Sequence, residues 1–223
     1  MNVAALPRIA LIHAVYVAMA PVEAAFQRLW PQARRVNLVD DALPADLERD
    51  GGMTPAMVER IHRLADHAVQ AGADGVLFTC SAFGEAIEAA AARLPVPVLK
   101  PNEPMFQAAL GAGQRIGMLA TFAASVPSME DEFRQLARAR GIEATIETVC
   151  VPEAIAAARG GDIPTHNRLL AEAAPRLAHC DAVMLAHFST STALDDVRRV
   201  LGRSVLSAPE AAVDTLKRLL AGG

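Results

Sequence analysis

Short apolar runs of four to six residues alternate with longer segments of helical periodicity along the chain. Apolar runs of this length are typical of buried strands, and the alternation is typical of βαβ units around a parallel sheet. The pattern therefore predicts an α/β fold with four strands in each half. The predicted strands are Arg8–His13, Ala33–Val39, Asp74–Thr79, Val96–Leu99, Arg115–Ala120, Ala144–Val149, Ala182–Ala186 and Ser204–Leu206.

The segments between these strands carry the apolar stripe of helices that pack on a sheet with one side. In Pro55–Gln70, for example, Met57, Ile61 and Leu64 fall on one face of a helix, while Arg60 lies on the other. The predicted helices are Pro21–Trp30, Pro55–Gln70, Phe83–Arg93, Glu103–Leu110, Ser125–Arg140, Thr165–Leu177, Ala193–Leu201 and Glu210–Leu220.

The two halves repeat one another at an offset of 107 residues. Asp74 matches Asp181 at this offset, and Cys80 after the third strand matches His187 after the seventh. The repeat predicts two pseudo-symmetric, flavodoxin-like lobes, 1–110 and 111–223, with the C-terminal helix able to pack on the first lobe. Because ligands of open α/β sheets bind at the carboxyl ends of strands, we expect the thiol and the imidazole to face a shared cleft.

Composition narrows the class of protein. Hydrophobic residues make up 52% of the 223 residues but aromatic residues only 4%, so Ala, Val, Leu and Ile must build the core. The net charge of −4 and the scattered Lys and Arg residues argue against nucleic acid or an anionic membrane as a partner. No apolar run approaches the roughly 20 residues of a membrane helix. Three cysteines, an odd number, indicate free thiols and a cytoplasmic location.

Cys80 and His187 are the candidate catalytic residues. Cys80 lies beside the predicted start of a helix, where the helix dipole and unpaired N–H groups favour a thiolate. Taken alone, Cys80 is also compatible with a small buried hydrophobic residue, and His187 with a structural histidine whose hydrogen bonds are satisfied. Their matched positions at two strand ends favour the catalytic interpretation.

Residues at the neighbouring strand ends are expected to line the same site and to bind the substrate. They are His13, Tyr16, Ser81, Ala82, Thr121, Phe122, Phe188, Ser189 and Thr190. The remaining histidines lack a second ligand at metal spacing, so we expect no metal. The glycines of Gly111–Gly117 precede a strand instead of following one, which excludes a dinucleotide fingerprint.

The chain resembles the aspartate/glutamate/hydantoin racemase superfamily in Thr79–Ser81, Arg115–Thr121 and Asp181–Ala186. This superfamily also contains maleate cis–trans isomerase and arylmalonate decarboxylase. The resemblance implies two pseudo-symmetric lobes with the active site in the cleft between them, no cofactor, and a catalytic cysteine after the third strand of each half. Cys80 matches the first of these cysteines, whereas His187 stands in the place of the second.

Three functions are compatible with a histidine in the place of the second cysteine. The first is a racemase or isomerase of a small carboxylate, such as an amino acid, with Cys80 and His187 as opposed bases. Reference pKa values of about 8.5 and 6.5 allow a thiolate and an imidazolium at rest. The second is an isomerase or decarboxylase in which Cys80 is a nucleophile or the sole proton donor. The third is a non-catalytic protein that binds a small acid. A second copy of the chain, in a homodimer, is the one protein partner expected.

Overall fold

The computed structural model describes residues 6–222. The first of its two sheets is formed by strands from the first half of the chain. All neighbouring strands of this sheet are parallel, and their order is β2-β1-β3-β4. The strands are β1 (Arg8–His13), β2 (Arg34–Val39), β3 (Gly75–Phe78) and β4 (Val98–Leu99). β1 and β3 are the central strands, and every residue of β3 is buried.

The second sheet repeats this topology. Its order is β6-β5-β7-β8, again with all neighbouring strands parallel. The strands are β5 (Arg115–Ala120), β6 (Thr145–Cys150), β7 (Ala182–Leu185) and β8 (Leu206–Ser207). Two four-stranded parallel sheets flanked by helices confirm the predicted α/β fold.

The α-helices follow the predicted alternation with two additions. They are α1 (Met19–Leu29), α2 (Leu43–Arg49), α3 (Pro55–Gln70), α4 (Gly84–Arg93), α5 (Glu103–Ala112), α6 (Val126–Ala139), α7 (Pro152–Arg159), α8 (Ile163–Ala173), α9 (Leu194–Leu201) and α10 (Ala208–Ala221). The sequence pattern did not predict α2 and α7. Each of them buries a single residue, Leu43 in α2 and Ala154 in α7, and one apolar position carries no periodic signal.

The helices cover the sheets through the faces expected from their periodicity. In α3 the buried residues include Met57, Ile61 and Ala65, and they join Val76 and Phe78 of β3 in one apolar cluster. The core of the second sheet is built in the same way, with Leu170 of α8 in one cluster with residues of β5 and β7. No helix within residues 6–222 is long and apolar enough to cross a membrane.

The chain forms two compact units whose boundaries differ from the boundary between the two sequence repeats. One unit runs to Pro101 and includes the chain from Ala212 onward, and the other is Asn102–Ala211. Helix α5 belongs to the second unit because it packs against β7 and β8. Most of α10 belongs to the first unit. A Cβ atom on Gly75 of β3 would lie 3.1 Å from Leu216 Cδ2, so glycine makes room for α10 there.

The repeated aspartates hold the first and third strands of each unit together. Asp74 donates its main-chain N–H to the Arg8 carbonyl at 2.8 Å and accepts the Arg8 N–H on its carboxylate at 2.7 Å. Asp181 makes the same pair of bonds with Arg115, at 2.6 and 2.8 Å. The Arg115 guanidinium and nearby N–H groups lower the pKa of Asp181 to about 2. The aspartate repeat is therefore explained by the fold.

Candidate active site

Cys80 lies two residues beyond β3, at the carboxyl end of a central strand. Its backbone is extended, and a 3₁₀ turn over Ser81–Phe83 connects it to α4. The side chain is half-buried and is a free thiol. Burial raises the pKa of Cys80, and a hydrogen bond from the main-chain N–H of Ala82 acts in the opposite direction with less effect. Desolvation thus favours the protonated thiol here, in contrast to the thiolate expected from the helix start alone.

His13, at the end of the neighbouring strand β1, is fully buried and has both ring nitrogens hydrogen-bonded. Nδ1 lies 2.9 Å from Thr79 Oγ1, and Nε2 lies 2.9 Å from Asn37 Oδ1. Burial lowers the pKa of His13, which favours the neutral ring. The imidazole therefore holds Thr79, the residue directly before Cys80, and substrate binding by His13 stays a prediction.

His187 occupies the corresponding place in the second unit, two residues after the end of β7. Its φ of 65° makes it the one non-glycine residue with a positive φ in the part of the chain that the structure describes. Burial lowers the pKa of His187, so the neutral imidazole is favoured. A left-handed backbone is costly for a residue with a Cβ atom, and such residues are concentrated at functional sites.

Ser125 is the partner of His187, and sequence analysis did not single it out. It ends the 3₁₀ turn Ala123–Ser125 after β5, and its Oγ lies 2.7 Å from His187 Nε2. The same Oγ lies 2.8 Å from the carbonyl oxygen of Phe122. The loop after β5 was expected to contribute Thr121 and Phe122. The pairing of two residues 62 positions apart in sequence has no local signal.

The other predicted ligand residues divide by exposure. Tyr16, Ser81, Ala82 and Phe122 are exposed, Ser189 is half-buried, and Thr121, Phe188 and Thr190 are buried. The Thr190 hydroxyl lies within hydrogen-bond distance of the carbonyl oxygens of Ala186 and His187, which share its one hydrogen. Thr190 thus stabilises the turn that carries His187, whereas the exposed residues are open to a ligand.

One cluster among the described residues has donor atoms close enough for a metal ion. It comprises Glu147, His179 and Cys180, whose donor atoms lie within 4.8 Å of one another. His179 Nε2 lies 3.0 Å from a carboxylate oxygen of Glu147, and the guanidinium groups of Arg115 and Arg203 act electrostatically on Cys180. Because these cations would repel a metal ion, we assign none to the cluster. The cluster also lies at the amino end of β7, away from His187.

A cavity of about 730 Å³ in the second unit likewise lies away from the strand ends that carry the candidate residues. Its lining includes Arg115 and Thr145, the first residues of β5 and β6. Ligands of parallel α/β sheets bind at the carboxyl ends of strands, and this cavity is at the amino ends. We therefore place the candidate chemistry at Cys80 and His187.

The family model of Asp/Glu/hydantoin racemases matches residues 19–178, more than half of the chain. The chain belongs to this family. Membership makes it a racemase-type enzyme. The matched residues include Cys80 and Ser125, whereas His187 lies beyond them, so the histidine at the second position is not part of the match.

Solved structures of racemases share the fold at low sequence identity. An allantoin racemase from Klebsiella pneumoniae has a TM-score of 0.70 and 19% identity, over 97% of this chain and 89% of that chain. An aspartate racemase from Picrophilus torridus has a TM-score of 0.68 and 16% identity, over 97% and 94%. A Gly74Cys mutant of arylmalonate decarboxylase has a TM-score of 0.63 and 19% identity, over 97% and 94%. A search of curated proteins finds no match.

Proposed function

We propose that the chain is a cofactor-independent racemase or isomerase that moves a proton at the α-carbon of a small carboxylate, with Cys80 and His187 as its two acid/base groups. The observation that carries this proposal is the equivalence of the two positions. Each residue lies two positions beyond the third strand of its sheet, and each has a side chain that can gain or lose a proton. Membership in the racemase family supports the same reaction type.

The pKa shifts of Cys80 and His187 indicate which residue donates a proton and which accepts one. Burial raises the pKa of Cys80 and lowers that of His187, so a thiol and a neutral imidazole coexist near neutral pH. The neutral His187 takes the α-proton from one face of the carbon, and the electron pair of the C–H bond moves into the carboxylate. The Cys80 thiol then donates its proton to the other face, which inverts the configuration. This step leaves a thiolate and an imidazolium, from which the reverse reaction begins.

The enolate-like intermediate of this reaction carries additional negative charge on the carboxylate. Hydroxyl groups near the strand ends, among them those of Ser81, Thr121 and Ser189, are the proposed hydrogen-bond donors. Preorganised donors of this kind stabilise developing charge more effectively than water does. The residues that we propose for the site include no lysine or arginine. This favours a monocarboxylate or a cyclic imide over a dicarboxylate as substrate.

A decarboxylase or isomerase that uses Cys80 as its sole proton donor is the second candidate. Burial keeps the Cys80 thiol protonated, which suits it to deliver a proton to a carbanion that forms by loss of CO₂. The fold shared with arylmalonate decarboxylase is compatible with this chemistry. In this mechanism His187 assists without exchanging a proton with the substrate.

A panel of candidate substrates tests the proposal and separates the two candidates. Enantiomerically pure amino acids, 2-arylpropionates and 5-substituted hydantoins, and achiral arylmalonates, are incubated with the enzyme, and optical activity and CO₂ release are followed together. We expect loss of optical activity without CO₂, and a fall of about 10²- to 10⁴-fold in the C80A/H187N variant. Release of CO₂ with C80A inactive would favour the decarboxylase, and an unchanged rate in the double variant would overturn both candidates.

A further inference from the structure

The Ser125 hydroxyl has one hydrogen and two nearby acceptor atoms. Its Oγ is 2.8 Å from the Phe122 carbonyl oxygen and 2.7 Å from His187 Nε2. A carbonyl oxygen can only accept, whereas a ring nitrogen donates or accepts according to the tautomer. The Phe122 carbonyl also accepts the Ser125 main-chain N–H at 3.1 Å. Both short contacts of Oγ are hydrogen bonds only when the hydroxyl donates to Phe122 and receives the N–H of Nε2. If Nε2 carried no hydrogen, two acceptors would compete for one proton.

We propose that Ser125 is a positioning residue that holds His187 in the Nε2–H tautomer, so that Nδ1 is the atom that exchanges a proton with the substrate. The inference rests on the proposed function, in which His187 is one of the two acid/base groups. Ser125 itself does not exchange a proton.

The geometry keeps Ser125 in one state throughout the reaction. The neutral Nε2–H tautomer and the imidazolium both carry a hydrogen on Nε2, so the bond to Ser125 Oγ persists when Nδ1 gains or loses a proton. A catalytic base whose hydrogen bonds need no rearrangement is preorganised for proton transfer. Polar partners that fix the tautomer of a functional histidine are common, and their loss from metal-binding histidines costs about 10- to 100-fold in affinity or activity.

No other side chain among residues 6–222 is hydrogen-bonded to the His187 ring, so the orientation of the ring depends on Ser125. The lowered pKa of His187 has burial as its cause. The positive φ of His187 fixes the backbone from which the ring extends, and Thr190 holds the His187 carbonyl at 3.0 Å. With the main chain held in this way, the bond to Ser125 determines the orientation of the ring.

NMR spectroscopy of the ¹⁵N-histidine-labelled protein tests the tautomer without any substrate. The chain has six histidines, and the His187 signals are identified by their loss in H187N. We expect Nε2–H in the wild type and in S125T, which keeps the hydroxyl, and a mixture of tautomers in S125A. The matched control is S128A. The Ser128 hydroxyl donates to the main-chain carbonyl of Ser125 at 3.0 Å and has no bond to His187. S128A therefore removes a hydroxyl from the same turn but keeps the bond between Ser125 Oγ and His187.

Kinetics on the substrate found by the panel provides the second readout. We expect S125A to lower kcat by about 10- to 100-fold with KM nearly unchanged, with recovery in S125T and no effect in S128A. A wild-type Nδ1–H tautomer, or an S125A spectrum like that of the wild type, would overturn the role of Ser125. Absence of racemisation together with the expected spectra would instead overturn the proposed function, so the two failures are distinct.

Discussion

At the scale of single residues, burial raises the pKa of Cys80 and lowers the pKa of His187. Cysteine is neutral when protonated and histidine is neutral when deprotonated, and desolvation favours the neutral form of each. In the proposed mechanism, a half-buried thiol and a half-buried imidazole serve as one proton donor and one proton acceptor near neutral pH. Two cysteines in the same places would both be favoured as thiols, and one of them would need to lose its proton first. Under the proposed function, a histidine at the second position is therefore compatible with two-base chemistry.

The pH dependence of kcat/KM follows from these directions. Activity should fall at low pH as His187 gains a proton, with a limb below 6.5 because burial lowers its pKa from that value. It should fall again at high pH as the Cys80 thiol loses its proton, with a limb above 9.0 because burial raises its pKa from there. We expect a broad bell-shaped profile of kcat/KM against pH in initial-rate measurements from pH 5 to 10. A rate that rises through pH 9 would show that Cys80 works as a resting thiolate.

The two strand-end positions could be predicted from the sequence, but their protonation and partners could not. The 107-residue repeat places Cys80 and His187 at matched sites without any structural information. The argument from the helix start predicted a thiolate because it considered local dipoles, whereas desolvation depends on residues distant in sequence. Ser125 was missed for the same reason, since its contact with His187 forms only when β5 and β7 become neighbours.

At the scale of elements, the start of β7 is fixed to the start of β5 by Asp181. A Cβ atom on Gly113 would lie 2.3 Å from Asp181 Cβ, so this turn needs a glycine for space. We predict that Gly113→Ala lowers the free energy of unfolding by about 1–3 kcal/mol in urea denaturation.

Gly111, two residues earlier, provides the matched control for that substitution. It lies near the end of α5 with no atom within 4 Å of its added Cβ. Gly111→Ala should leave the free energy of unfolding unchanged or raise it by up to about 1 kcal/mol. Equal effects of the two substitutions would show that contact with Asp181 does not determine the choice of glycine.

The elements that sequence periodicity predicted are those with several buried apolar positions. Helix α3 buries four residues on one face, and its predicted range agrees with the observed one. The edge strands β4 and β8 have two residues each and are shorter than predicted, because each pairs with its neighbour over only two residues. Helices α2 and α7 escaped prediction because each buries a single residue and so has no apolar stripe.

At the scale of the whole molecule, the last helix is assigned to the unit that begins the chain. Leu216 of α10 is fully buried and packs where Gly75 of β3 has no side chain. We predict that Leu216→Ala lowers the free energy of unfolding by about 2–5 kcal/mol. Leu219 on the same helix is 50% exposed, and Leu219→Ala should change it by no more than about 0.5 kcal/mol. Equal effects in urea denaturation would show that α10 does not contribute to that core.

The duplication could be predicted because it is visible in the sequence as matched strands and matched strand ends. The sequence also allowed the C-terminal helix to pack on the first lobe. The place of α5 in the second unit has no signal in the sequence, because it depends on which sheet covers that helix. Helix α5 is encoded in the first half and packs on the second sheet, whereas most of α10 is encoded in the second half and belongs to the first unit. Local patterns state that a helix is amphipathic but not which sheet it covers.

Solvent deuterium exchange in single variants tests the central claim, that Cys80 and His187 act on opposite faces of one carbon. Each enantiomer of the substrate is incubated in D₂O with C80A or with H187N, asparagine being chosen because it tolerates a positive φ. We predict that C80A, which retains His187, exchanges the α-proton of one enantiomer without inverting it. H187N, which retains Cys80, should exchange only the other enantiomer, at a rate that rises with pH as the Cys80 thiol loses its proton. Cys150→Ala, at the end of β6, should racemise like the wild type. Exchange of both enantiomers at equal rates by either single variant would contradict the claim.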